Sequence, residues 1–239
     1  MSKRILIIIP VLNEVGNVLD ISLKLKKYLK KNYDLLFIDD NSSDGTIEKI
    51  KSIQKKNKNV FLFIRPKKLG IGSAHKKGIS WGFKNRYRLI VTMDCDGTHN
   101  PIHIPRMINL IDKKGFDLVS TNRFLKKNSL SDWSLWRKYL TTLRHYVIKI
   151  LLNVNYDSSG AYRCYNTEKI KLKDITNAKD DSYSFFWESI FLLSKKNYRI
   201  TEISIKLPGR LSGSSKMRFK DIFSAIIYLL RISFKNIFI

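Results

Sequence analysis

The chain of 239 residues predicts an α/β fold built on a mostly parallel sheet. Two observations carry this expectation. Short, continuous apolar runs alternate with segments of helical periodicity between residues 5 and 120, and such alternation favours parallel strands joined by right-handed crossovers. Two of the runs also end abruptly in acids, at Asp39-Asp40 and at Asp94-Cys95-Asp96. Parallel strands place such ends on one edge of the sheet, where open α/β sheets take their ligands.

The elements follow in order. Residues 5–9 read as a central strand that Pro10 stops, and Pro10-Val11-Leu12-Asn13-Glu14 turns into a helix with Val18, Leu19, Ser22, Leu25 and Leu29 on its apolar face. Leu35-Leu36-Phe37-Ile38 is a second strand. The polar loop after it ends in good N-cap residues ahead of a helical pattern at Ile47, Ile50 and Ile53. Residues 60–64 form a third strand. Leu69-Gly70-Ile71-Gly72-Ser73-Ala74 opens the next helix. Its two glycines fit either a close backbone approach to a ligand or a tight strand-to-helix turn. The run Leu89-Ile90-Val91-Thr92-Met93 shows no alternation, so it reads as a strand buried on both faces. Residues 101–113 are helical, and 116–120 form a further strand.

Beyond Arg123 the pattern changes. Trp133, Trp136, Leu140, Leu143, Val147 and Ile150 recur at spacings of three and four, so residues 132–152 form one helix. Arg137, Lys138, Arg144 and Lys149 decorate it. It is either a core helix with a basic solvated face or a helix lying on an anionic membrane. Residues 218–239 repeat the theme: Asp221, Ser224, Tyr228, Arg231 and Lys235 form a narrow polar stripe, and apolar side chains cover the rest. Such a face at a chain end is costly in water and calls for a lipid layer or a partner. Arg231 and Lys235 interrupt it too often for a spanning helix, and no stretch reaches the roughly 18–20 apolar residues a bilayer demands.

Lys plus Arg number 45 against 20 Asp plus Glu, a net charge of +25. This excess implies an anionic partner: nucleotide, lipid phosphate or membrane surface. Nucleic acid is not expected, because the basic residues are scattered and no basic-aromatic recognition motif is present. Cys95 and Cys164 are the two cysteines, one of them inside the acidic motif, which fits a reducing compartment and no disulfide. The apolar run after Met1 is too short for a signal peptide. Asp94 and Asp96, one residue apart, repel each other. They are either solvated loop acids or a pair that a hard divalent cation bridges to a phosphorylated substrate.

Pro10-x-x-Asn13-Glu14, Asp39-Asp40-x-Ser42-x-Asp44-x-Thr46 and Asp94-x-Asp96 occur in this order. Together they resemble the family 2 glycosyltransferases, and within them the dolichol-phosphate mannosyltransferase group. Leu69-Gly70-Ile71-Gly72-Ser73-Ala74, Met93-Asp94-Cys95-Asp96-x-x-His99-x-Pro101, the segment from Ser158 to Tyr165, Ser184-Phe185-Phe186-Trp187-Glu188 and Arg210-x-x-Gly213-x-Ser215-Lys216 extend the likeness from residue 5 to 217. Thr98 departs from the Ser or Gln of the group, Cys95 from its small residue, and Pro208-Gly209 from its Val-Asp.

The resemblance implies a three-layer, Rossmann-like nucleotide-sugar fold of the GT-A type over residues 1–217, with 218–239 as a membrane-interface helix. It implies an inverting transfer of mannose from GDP-mannose to a dolichyl or polyprenyl phosphate on the cytoplasmic face of a membrane, assisted by Mg²⁺ or Mn²⁺. Asp94, Asp96 and Thr98 are the implied metal ligands. Pro10, Asn13, Glu14, Asp39, Asp40, Gly72, Asp94, Cys95, Asp96, Arg210 and Lys216 are assigned to the nucleotide sugar. For Asp40 and Asp44, helix capping is the alternative. Arg123, Arg137, Thr141 and Ser215 are assigned to the acceptor phosphate, and Asp96, Arg123 and Arg210 to catalysis. Glu188 is assigned to positioning the sugar, against a salt-bridged surface role, and His99 to structural hydrogen bonding. A lipid phosphate is already an anion, so the nucleophile needs no general base. The competing reading is a family 2 enzyme using UDP-glucose or a glycan hydroxyl, in which Glu188 would be the base.

Overall fold

A computed structural model describes residues 5–30, 33–209 and 219–237. Seven strands form one sheet: β1 (Ile5–Val11), β2 (Asp34–Asp39), β3 (Val60–Ile64), β4 (Leu89–Thr92), β5 (Leu118–Asn122), β6 (Arg163–Asn166) and β7 (Ile200–Ser204). Their order across the sheet is β3-β2-β1-β4-β6-β5-β7. β3, β2, β1 and β4 run parallel, as do β5 and β7, while β6 is antiparallel to both its neighbours. The sheet is therefore mostly parallel with one reversed strand.

Alternate residues of β1 feed two cores. Leu6 and Ile8 pack under α3 (Ile71–Lys84), α5 (Leu135–Leu152), α6 (Leu172–Thr176), α7 (Ser184–Lys195) and α8 (Phe219–Ile237). Ile7 and Ile9 pack on the other side under α1 (Val18–Leu29), α2 (Thr46–Lys56) and α4 (Ile104–Lys114). This is the three-layer α/β/α arrangement.

Two local expectations are corrected. Pro10 lies inside β1 rather than ending it. β4 pairs with β1 only as far as Ile8, so Pro10 sits where that side of the ladder has ended and its missing N–H costs nothing there. On α1 Val18, Leu25 and Leu29 face the core as expected, and Ile21 joins them, whereas Leu19 is 41% exposed. Ser134 caps α5, its Oγ accepting the Arg137 N–H at 3.4 Å.

Helix α8 turns Asp221, Ala225, Tyr228, Leu229, Ile232 and Ser233 toward the body. Ile222, Phe223, Ile226, Ile227, Leu230 and Phe234 face outward, between 43% and 66% exposed. α5 packs beside it. It also faces outward with Leu135, Trp136, Tyr139, Leu143, Tyr146 and Ile150, and it buries Ile148 and Leu152. Among the described residues no helix is long and apolar enough to cross a membrane.

Candidate active site

The C-terminal ends of β1, β2 and β4 share one edge, and the loops leaving them interlock. Asn13 adopts a left-handed φ of 55°, which its short polar side chain tolerates. Its backbone N–H donates to Ser42 Oγ at 2.9 Å, and its Oδ1 accepts the Ser43 N–H at 2.9 Å. Glu14 N–H donates to Thr46 Oγ1 at 2.8 Å, and the Glu14 carboxylate accepts from Asn17 at 2.6 Å. Asp39, fully buried, accepts the Ser42 N–H and hydroxyl at 2.7 Å each. Asp44 takes the helix-start role: its Oδ1 accepts from Thr46 N–H at 3.0 Å and Thr46 Oγ1 at 2.5 Å. Burial alone raises this carboxyl, but the bonds from Thr46 and Val15 outweigh burial and hold it below the usual range.

Asp40 does not cap a helix. It pairs with the buried Arg65 at the end of β3. The same guanidinium donates to Ser73 Oγ and to the Gly70 carbonyl, both at 2.9 Å, so Asp40 anchors the turn that opens α3. The glycines of that turn serve packing. A Cβ on Gly70, whose φ is +98°, would lie 2.2 Å from the Asp181 carbonyl oxygen. One on Gly72 would lie 2.5 Å from Phe185 Cβ. The structure thus places Gly72 against α7, and the close backbone approach is to residues 181–182 of the chain itself.

The acids after β4 sit in different surroundings. The Asp94 side chain is 33% exposed, and the Asp94 N–H donates to His99 Nδ1 at 2.9 Å. His99 is therefore an acceptor at Nδ1, held against Tyr162 with ring centroids 5.1 Å apart, in keeping with its structural assignment. Asp96 is 4% exposed, and its Oδ1 accepts from Thr98 N–H at 3.1 Å and Thr98 Oγ1 at 2.6 Å. Thr98 thus fixes the orientation of Asp96. Cys95 points the other way, into the core with Ile9, Val11 and Met93, and burial, joined by the nearby carboxylates of Glu14, Asp96 and Asp94, pushes its thiol well up. Two carboxylates and a hydroxyl are hard oxygen donors, the chemistry that Mg²⁺ or Mn²⁺ prefers. Among the described residues no group of three or more His, Cys, Asp and Glu side chains is gathered for a metal. The donor set fits an ion that takes its remaining ligands from a bound diphosphate.

Arg123 follows β5 and is buried. Its Nε donates to Asp157 Oδ2 at 2.7 Å, and its N–H reaches the same oxygen at 3.1 Å. Asp157 would be raised by its burial, but the Arg123 charge and hydrogen bonds hold it low. Glu202 of β7 closes the network: Oε1 accepts the Asp157 N–H at 2.7 Å and Oε2 accepts from Asn122 at 2.8 Å. Beside Arg123 lies a cavity of about 250 Å³ whose walls include Lys126, Lys127, Lys138, Asn128 and Thr142, with no carboxylate in its lining. Arg137 and Thr141 do not line it. The Arg137 guanidinium stacks 3.6 Å over the Trp133 ring, and Thr141 is half-buried. One step along α5 rotates a side chain by about 100°, so the helix offers Lys138 and Thr142 to the cavity instead.

Glu188, 3% exposed on α7, accepts from Lys179 N–H at 2.9 Å, Asp180 N–H at 3.1 Å and Tyr228 OH at 2.8 Å. It is neither a surface residue nor part of a salt bridge. Arg210, Ser215 and Lys216 lie outside the described residues. Reasoning from the sequence missed Arg65, Asp157 and Glu202, and it included Arg163 only within the 158–165 segment, with no role. Arg163 is fully buried and donates to Ser158 O, Ser189 Oγ and Phe186 O. Nothing in the local sequence tied Asp157 or Glu202 to Arg123.

The family model for glycosyl transferase family 2 matches residues 6–171. An undecaprenyl-phosphate mannosyltransferase of Micrococcus luteus is 28% identical over 229 residues, covering 95% of this chain and 93% of that protein. A polyprenol monophosphomannose synthase of Mycolicibacterium smegmatis is 27% identical over 227 residues, covering 94% and 85%. Among solved structures, glucosyl-3-phosphoglycerate synthase from Mycobacterium tuberculosis, crystallised with Mn²⁺, UDP-glucose and phosphoglyceric acid, superposes with a TM-score of 0.67. That match covers 97% of this chain and 80% of the other at 14% identity, a likeness of fold.

Proposed function

The chain belongs to glycosyl transferase family 2, and on that premise we propose that it moves mannose from GDP-mannose to the phosphate of a polyprenyl or dolichyl lipid at the cytoplasmic face of a membrane. The observation that carries this reading is the double character of α5. With Lys138 and Thr142 it lines a cationic cavity next to Arg123, and with Leu135, Trp136, Tyr139 and Leu143 it turns apolar surface outward. A molecule with an anionic head and a greasy tail matches both features. The two curated relatives, named for transfer to such lipids, support the same class of acceptor.

In this reading the interlocked loops of Asn13, Glu14, Asp39 and Asp40 form the nucleotide side of the cleft. Asp94 and Asp96 hold Mg²⁺ or Mn²⁺, which when bound neutralises charge on the diphosphate. Thr98 keeps Asp96 aimed. Arg123, held by Asp157, and the lysines of the cavity hold the acceptor phosphate, Arg by paired donors and Lys as point charges. The phosphate oxygen attacks the anomeric carbon, the bond to the nucleoside diphosphate breaks, and no proton has to be removed from the nucleophile. The outward faces of α5 and α8 rest in the lipid interface, making the enzyme a peripheral one. A hydroxyl acceptor would need a base, and Glu188 is unsuited to that task because three donors already hold its buried carboxylate.

The test is transfer of labelled sugar by the purified chain with Mn²⁺. GDP-mannose and UDP-glucose are each offered to vesicles carrying a polyprenyl phosphate and to a free glycan. Label from GDP-mannose in the lipid fraction is expected. Label entering the glycan, or coming only from UDP-glucose, overturns the proposal.

A further inference from the structure

A part-buried hydrogen bond helps to fasten helix α8 to the catalytic body. Tyr228 lies on its inward side, with its ring 5.5 Å from Trp187 and its hydroxyl 2.8 Å from Glu188 Oε1. Burial first, and then the adjoining carboxylate, push the Tyr228 phenol up, so it stays a protonated donor. The other acceptor positions of Glu188 in use hold the N–H groups of Lys179 and Asp180. One carboxylate therefore joins α8 to the segment that precedes α7.

That segment leads to the nucleotide edge. Asp180 Oδ2 accepts the N–H groups of Ser182 and Ser184 at 2.9 Å each, which fixes the turn into α7. The Asp181 carbonyl accepts the Ser73 N–H at 3.0 Å. Lys76 of α3 pairs with the Asp181 carboxylate at 2.6 Å and donates to the Ala178 carbonyl at 3.0 Å. Because Gly70 and Gly72 have no Cβ, residues 181–182 approach the turn so closely that neither segment can shift without the other. Arg65 makes the last link, from Ser73 and Gly70 to Asp40.

We propose that Tyr228 is a positioning residue for donor binding: through Glu188, residues 178–184 and the 70–73 turn, it couples the seating of α8 on a lipid surface to the nucleotide edge at Asp40. The proposal rests on the nucleotide-sugar and membrane reading given above. The side of α8 that faces outward meets lipid, and the opposite side carries the hydroxyl, so the orientation lipid imposes on the helix is passed directly to Glu188. Coupling between two binding events is reciprocal: a lipid surface that tightens nucleotide binding must be bound more tightly in the presence of nucleotide, by the same factor.

The test uses the full chain and its Tyr228→Phe variant, which keeps the ring on Trp187 and removes only the hydroxyl. GDP with Mn²⁺ is titrated in the presence and absence of vesicles of phosphatidylglycerol and phosphatidylcholine. Vesicle binding is measured in turn with and without GDP. In the wild type each is expected to tighten the other by about fivefold, a common size of coupling between sites. In Tyr228→Phe that factor should fall toward one, while vesicle binding without nucleotide stays close to wild type. Hydrogen exchange of the two proteins, free of ligand, should show faster exchange at 178–184 and 70–74 in the variant. An unchanged coupling factor in Tyr228→Phe overturns the proposal, and so does an exchange difference confined to α8. Wild type that binds no GDP at all defeats the donor reading instead, and the exchange comparison then decides the packing route by itself.

Discussion

Helices α4 and α8 are both amphipathic, and they face opposite ways. α4 buries Ile104, Met107 and Ile111 against the sheet and sends Arg106, Asn109 and Lys113 into solvent. α8 turns Tyr228, Leu229 and Ser233 inward and sends Phe223, Ile226, Ile227 and Phe234 outward. Periodicity alone gives each helix an apolar stripe, but it does not say which medium the stripe meets. The difference shows that α4 is finished for water, while α5 and α8, packed side by side, both turn large apolar side chains outward, with Arg137, Lys149 and Arg231 exposed on the same two helices. Such a face suits an anionic lipid interface. The sheet edge with Asp94 and Asp96 belongs to neither helix layer, and this allows chemistry, docking and stability to be separated by substitution.

The largest expected effect is at that edge. Asp96→Ala should lower kcat/KM for transfer by about a hundredfold to a thousandfold, the scale of losing a fixed charge-stabilising group. Its binding to vesicles should be unchanged, as checked by flotation alongside the transfer assay. Next comes the outward face. Phe223→Glu with Ile227→Glu should weaken vesicle binding by about 1.5–3 kcal/mol for each side chain kept out of the lipid. GDP binding in vesicle-free solution should survive. If both properties fell together, the two layers would not be separable and the comparison would break. The mirror experiment is Met107→Ala in α4. It should cost about 2–5 kcal/mol of folding stability in a denaturant titration and leave vesicle binding alone.

The smallest effect concerns pH. Burial, with some help from the Asp157 charge, pushes Glu202 up to about 7 against the bonds from Asn122 and Asp157. A carboxyl raised in the folded state holds its proton longer folded than unfolded. Its contribution to stability is therefore complete below its unfolded value of 4.5 and is lost as pH rises through about 7. The wild type should lose a little thermal stability across that window. Glu202→Gln should flatten the profile, and a slope that persists in the variant would place its source elsewhere.

Much of the sheet was legible because buried parallel strands read as unbroken apolar runs, as β1, β2 and β4 do; β3 reads the same way although it is an edge strand with Phe63 and Ile64 exposed. β6 did not, because Arg163-Cys164-Tyr165-Asn166 looks polar. Arg163 is buried only because serine and carbonyl oxygens from Ser158, Phe186 and Ser189 converge on it, and their spacing along the chain carries no local signal. β7 mixes Thr and Glu with Ile for the same kind of reason, since Glu202 is turned to the Arg123 network. At the site, the acids at strand ends were readable from motif and position. The contacts of Glu188 were not: one partner, Tyr228, is 40 residues away on a helix whose inward side the periodicity left open. Arg137 and Thr141 were assigned to the acceptor phosphate from resemblance; the cavity beside Arg123 takes Lys138 and Thr142 from α5, and that rotation is a packing outcome which periodicity does not give.

The most direct test of the central claim is equilibrium binding of GDP and of UDP to the wild type and to Asp94→Asn and Asp96→Asn, each with Mn²⁺ and with a chelator. Acids that hold a cation against a diphosphate require GDP to bind the wild type tightly only when Mn²⁺ is present, and they require that dependence to disappear in both variants. GDP binding equally well in chelator to all three proteins would contradict the account.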